Sequence, residues 1–189
     1  MNKTKRKIFE ASMKLFAQKG YDATSIEEIT ATVGVAKGTL YYHFSSKEEI
    51  FNFLIEEGMK LLQNSIEIKI SNKTNVIDKL KAVILIQIKI LVKYENLISI
   101  ILSQLWGNES RNITCKNCIV NYISVIESII REGIDKKEID SSIDAEMLAT
   151  EIFGLTCSCL VYKIKTKKEI DMQKLYDECN SLVFGSIFK

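Results

Sequence analysis

No proline occurs anywhere in the 189 residues. Proline is the residue that most often breaks a helix, because its ring clashes with the preceding turn and it has no amide proton to donate. A chain without it can run long helices that stop only at glycines and short polar breaks. Period-two alternation is scarce and apolar residues recur at helical spacing, so the expected fold class is all-α. Ile8, Ala11, Leu15 and Phe16 fall at i, i+3, i+7 and i+8 and predict a first helix over 3–18, which Gly20 ends in a left-handed conformation.

A second helix is expected to open at Thr24, with its hydroxyl as cap, Glu27 completing a capping box, and Ile26, Ile29 and Val33 as the apolar stripe. Val33-Gly34-Val35 then makes a tight turn into a short helix over 36–44. Ser46 and Glu49 have capping-box spacing and start a longer helix reaching about residue 66. Further helices are predicted over about 76–93, 97–106 and 114–132, the last closed by Gly133. Asp144 and Asp171 are placed to cap two final helices, to about 164 and 188. The 76–93 segment is apolar on most of its circumference, as a central buried helix would be. Small residues in the penultimate helix and an apolar face on the last suggest a bundle between two copies of the chain.

Composition, 47% apolar and 26% charged, is that of an ordinary globular protein. Five cysteines, an odd number, and a polar start without a signal-like apolar stretch point to a reduced, cytoplasmic protein. The run Val83–Val92 is interrupted by Gln87 and Lys89 and is too short for a membrane span, so no membrane partner is expected. Net charge is only +2, but residues 1–47 carry eight Lys and Arg against four Asp and Glu, whereas residues 48–189 carry 18 against 20. The basic surplus therefore sits in the first quarter of the chain, where phosphate would be met.

Within the short third helix, Leu40 and Phe44 are four apart and face inward. The other face presents Lys37, Thr39, Tyr41, Tyr42 and His43, two tyrosines and no acid, which is unusual for a surface facing only water. Thr24 and Ser25 stand at a helix start, where amide protons and the helix dipole favour phosphate.

Residues 8–51 resemble the DNA-binding domain of the TetR family of transcriptional regulators. The resemblance is carried by Ile8, Ala11, Leu15, Phe16, Gly20-Tyr21, Thr24, Ile26, Ile29 and Gly34-Val35, and above all by the run Lys37 to Phe44 followed by Lys47-Glu48. It implies an N-terminal three-helix helix-turn-helix domain, residues 1–47, and a C-terminal helical domain for effector binding and dimerisation, residues 48–189. It also implies a homodimer on double-stranded operator DNA, with recognition helices about one helical turn apart, ~34 Å, released by a small-molecule effector. Lys37, Thr39, Tyr41 and Tyr42 would face the groove, with Gly38 small enough for close approach, and Thr24, His43 and Lys47 would hold the phosphate backbone, with Ser25 beside Thr24 at the helix start. The chain departs from many relatives at Ala36, where a serine hydroxyl is common.

An effector pocket is expected among the helices spanning 76–164, with Gln87, Gln104, Trp106, Asn121 and Tyr122 as candidate polar anchors. Each could equally be an ordinary core or surface group. Cys115 and Cys118 have the spacing of half a zinc site but lack a second pair, and Cys157 and Cys159 point to different helix faces, so core packing is the better reading of all four. No Gly-rich phosphate loop, histidine dyad or carboxylate pair suggests catalysis, and no cofactor or metal is expected. The rival reading is a helical adaptor that keeps the helix-turn-helix only as scaffold.

Overall fold

The computed structural model describes residues 3–104, 110–166 and 169–187. Among these the chain forms only helices: α1 (Lys3–Lys19), α2 (Ile26–Val33), α3 (Lys37–His43), α4 (Lys47–Ile70), α5 (Val76–Lys93), α6 (Glu95–Ser103), α7 (Ser110–Asp135), α8 (Ala145–Thr166) and α9 (Met172–Ile187). The expected all-α architecture and its element order are therefore present. Residues group into two compact units, Met1–Met59 with Glu95–Cys118, and Lys60–Tyr94 with Ile119–Lys189. The units do not follow a single cut in the chain, because α4 and α7 each contribute residues to both.

In the first unit α1 packs on α2 and α6, and α2 on α3. Ile8 and Phe16 of α1, Ile29 of α2, Leu40 of α3 and Phe51 and Leu54 of α4 are all buried. Gly20 (φ 84°) ends α1 and Gly34 (φ 73°) ends α2, both in the left-handed region that a Cβ disfavours. Each amide closes the preceding turn, Gly20 on the Phe16 carbonyl and Gly34 on the Thr30 carbonyl, both at 2.9 Å.

In the second unit α5 is the central helix, packed on both α8 and α9. It buries Val76, Leu80, Ala82, Val83, Ile84, Gln87, Ile88 and Leu91, so most of its circumference is covered, as its composition requires. The caps read from sequence form: the Met147 amide donates to Asp144 and the Lys174 amide to Asp171, each at 3.0 Å. The α5 cap is Asn75, which accepts from the Asp78 amide at 3.1 Å.

Gly133 does not close α7. The helix runs on to Asp135, and the glycine is there for space: a Cβ would stand 2.8 Å from both the Val76 and Ile139 side chains. The chain turns instead at Lys137 (φ 61°), and the Gly133 carbonyl accepts from the amides of Glu138 and Ile139. α7 and α8 are long and apolar enough to span a membrane. Both, however, bury a face within a protein core, including Tyr122, Ile126 and Ile130 of α7 and Ala149, Ile152 and Leu160 of α8.

Candidate nucleic-acid interface

The short α3 is anchored from inside by Leu40, fully buried, and by Phe44 at its end. That anchoring turns the rest of the helix outward. Lys37, Gly38 and Thr39 are exposed, Tyr41 is 45% exposed and Tyr42 84% exposed. His43 is half-buried, with its ring edge-on to Tyr42 at 5.1 Å. A Cβ added at Gly38 would meet nothing within 4 Å, so packing within the fold does not require glycine there. Ala36 occupies the N-cap position of α3 without a side-chain hydrogen bond, the physical result of having no hydroxyl there.

The start of α2 differs from expectation by one residue. Both Thr24/Glu27 and Ser25/Glu28 have capping-box spacing, and the structure uses the second: Ser25 accepts from the Glu28 amide, and Glu28 accepts from the Ser25 amide, each at 3.1 Å. Thr24 is withdrawn from the surface, 1% exposed, and its hydroxyl donates to the Gly20 carbonyl at 2.8 Å. Its side chain closes the turn between α1 and α2 and does not reach outward. The Ser25 hydroxyl is likewise committed to its cap.

Lys47 is neither a freely solvated lysine nor aimed away from the fold. Its ammonium donates to the carbonyls of Tyr21 and Thr24 at 2.9 Å and lies 4.3 Å from the Tyr21 ring centroid. It staples the α1–α2 turn to the start of α4. Arg111, which carried no signal in the sequence, braces the same turn from α7. Its guanidinium stands 4.6 Å from the Tyr21 ring centroid and 3.4 Å from the Asp22 carboxylate.

Glu27, freed from capping, takes Lys37: the ammonium donates to its carboxylate at 2.6 Å, with both side chains more than half exposed. The pair raises the Lys37 pKa and lowers that of Glu27, chiefly through this hydrogen bond, so both stay charged.

The candidate effector anchors scatter. Gln87 and Tyr122 meet in the second unit, both fully buried, with the Tyr122 hydroxyl donating to the Gln87 side-chain carbonyl at 2.9 Å. The Gln87 amide in turn donates to the Thr156 hydroxyl and, at 3.3 Å, to the Phe153 carbonyl. Burial raises the Tyr122 pKa well above its usual value, so the phenol stays a neutral donor. Gln104 belongs to the first unit, where its side chain accepts from Arg111 at 2.9 Å. Asn121 is exposed, a helical step away from the face that buries Tyr122, and is not a core anchor. Trp106 lies outside the described residues. The Cys115 and Cys157 thiols are pushed up to about 12 and that of Cys179 to about 11, all mainly by burial, so they sit in the core as neutral groups.

A glycine-turned pair of short helices, the second offering a lysine, a threonine and two tyrosines from a rigid three-helix scaffold, defines a helix-turn-helix DNA-binding protein. Comparison with known proteins makes this specific. The profile of the bacterial regulatory proteins of the tetR family matches residues 8–54, and that of the YsiA-like protein C-terminal region matches 55–186. A Clostridium perfringens protein described as a candidate fatty acid metabolism regulator is 37% identical, with 97% of this chain and 99% of that one covered and a TM-score of 0.90. The transcriptional regulator FadR of Bacillus subtilis, solved with stearoyl-CoA, is 26% identical over 96% of this chain and 98% of that one, with a TM-score of 0.85. The chain belongs to the TetR family of bacterial transcriptional regulators. It is a DNA-binding regulator and not an enzyme.

Proposed function

We propose that the protein is a homodimeric, cytoplasmic repressor that leaves a palindromic operator when it binds a long-chain acyl-CoA. The DNA-reading part is residues 1–47, and residues 48–189 serve effector binding and dimerisation. Lys37, Gly38, Thr39, Tyr41 and Tyr42 enter the major groove, with His43 beside them toward the phosphates. The observation that carries this reading is the outward face of α3, where Tyr42 is 84% exposed while Leu40 and Phe44 hold the helix from behind. Tyrosine hydroxyls reach phosphate, their rings pack on sugar or thymine methyl, and Lys37 can donate to guanine acceptors. Lys47, Thr24 and Ser25 contribute by fixing the turn and not by contacting phosphate through their side chains.

The effector class is supported by two relatives that cover nearly the whole chain, one described as acting in fatty acid metabolism and one holding stearoyl-CoA. In this chain the Gln87, Tyr122 and Thr156 cluster is a self-satisfied polar knot in an otherwise apolar core, and an acyl chain would pack on the apolar side chains around it. An effector that prefers the form unable to match the operator weakens DNA binding by the factor by which DNA weakens effector binding. The test uses a duplex selected by the protein from a random library. Stearoyl-CoA should release it, while CoA alone and stearate should not. Retention of the duplex in the presence of acyl-CoA of every chain length would reject the effector reading.

A further inference from the structure

We infer that the basic start of α1 is a second phosphate-binding element beside the reading helix, with Lys3 and Lys7 as its contacts. The inference rests on the DNA-reading role of α3 given above. Within its first five residues α1 carries Lys3, Lys5, Arg6 and Lys7 and no acid. This is the unfavourable charge for a helix start in water, because the amide protons of the first turn already make that end positive. Lys3 and Lys7 add repulsion of their own, being four apart on one exposed face. Glu10 is the one acid in the helix, and Arg6 holds it at 2.9 Å, so the start of α1 keeps its positive surplus.

Lys5 fixes where that surplus stands. It is half-buried, and its ammonium lies 4.9 Å from the Phe44 ring centroid and 4.3 Å from that of Phe53. Phe44 is the C-cap of α3, two residues beyond Tyr42, so the first turn of α1 is pinned beside the end of the reading helix within one compact unit. Long side chains on a helix lean toward its N-terminus. The Lys3 and Lys7 ammonium groups therefore collect around the open end of α1, next to α3. Lys14 shares their exposed face but stands about 10 Å further along the axis than Lys7. Each strand of a duplex carries a phosphate about every 3.4 Å of axis, and a strand that runs past the end of α3 meets this end of α1. Phosphate there screens the two lysines from each other and from the helix dipole. Charges that destabilise α1 alone are thus neutralised on the duplex.

The double variant K3Q/K7Q removes both charges and keeps most of each stem. Its binding is compared with that of the wild type and of Lys14→Gln on two probes, a random-sequence duplex and a duplex selected from a random library by the wild type. Each is measured over a range of salt, alongside thermal unfolding of the three proteins. K3Q/K7Q should bind both duplexes roughly ten-fold more weakly or worse, since phosphate contacts carry affinity without reading sequence. Its log–log salt slope should be shallower by about two per reading head. Its unfolding midpoint should equal or exceed that of the wild type, because the repulsion at the helix start is gone. Lys14→Gln should change affinity by less than about two-fold, its charge lying a Debye length away. An unchanged salt slope in K3Q/K7Q would overturn the proposal and leave a solvated face. An equal loss per charge in Lys14→Gln would also overturn it, since long-range attraction would then suffice. So would a K3Q/K7Q protein that loses affinity and thermal stability together. A wild type that binds neither duplex would instead reject the DNA-reading role of α3 itself.

Discussion

At the scale of single residues, the proposed DNA-reading surface is held in place by side chains bonded within the fold. Lys47 spends its donors on the Tyr21 and Thr24 carbonyls, so Lys47→Met, which keeps the stem, takes a charged donor from both and leaves the Tyr21 carbonyl only the Thr24 amide. A loss of about 1–3 kcal/mol is expected in urea unfolding. An unchanged midpoint would return Lys47 to a phosphate-binding role. In the second unit, Tyr122→Phe leaves the Gln87 carbonyl oxygen without its buried donor, and stability should again fall by about 1–3 kcal/mol. Calorimetry on that variant showing no loss would mean that water or a rearranged Gln87 takes the place of the phenol. Tyr41 and Tyr42 were legible in the sequence because Leu40 and Phe44 fix which way the helix faces. Lys47 and Arg111 were not, since their partners lie 26 and about 90 positions away and include backbone carbonyls, which sequence does not mark.

At the scale of elements, helix starts were easier to read than helix ends. Asp144 and Asp171 capped as their spacing required, whereas Thr24 and Ser25 offered two equivalent boxes and burial of Thr24 decided between them. Gly133 was misread for a related reason. A glycine near a helix end reads as a stop, but this one makes room for Val76 and Ile139, contacts that exist only in the folded unit. Gly133→Ala should therefore destabilise, by about 1–3 kcal/mol, although alanine is the better helix former. A gain in thermal stability on that substitution would show that the two side chains move aside without strain.

At the scale of the whole molecule, class and element order followed from the missing proline, helical periodicity and the run Lys37 to Phe44. The grouping into units did not, because α4 and α7 each serve both and no composition change marks where one unit ends. The proposed dimer would use α8 and α9, where Tyr162 is 58% and Leu182 62% exposed in the single chain. Leu182→Glu should shift the protein toward monomer in sedimentation and weaken operator binding, because two half-sites need two heads held together. A dimer as stable as the wild type would place the interface elsewhere. The claim beneath all of this is that the outward face of α3 docks on duplex DNA. It is tested most directly by fluorescence anisotropy of Tyr42→Ala on a selected duplex, alongside its thermal unfolding. The expected result is affinity reduced at least ten-fold, about 1.4 kcal/mol, with unfolding unchanged. Wild-type affinity in a folded Tyr42→Ala protein would contradict it.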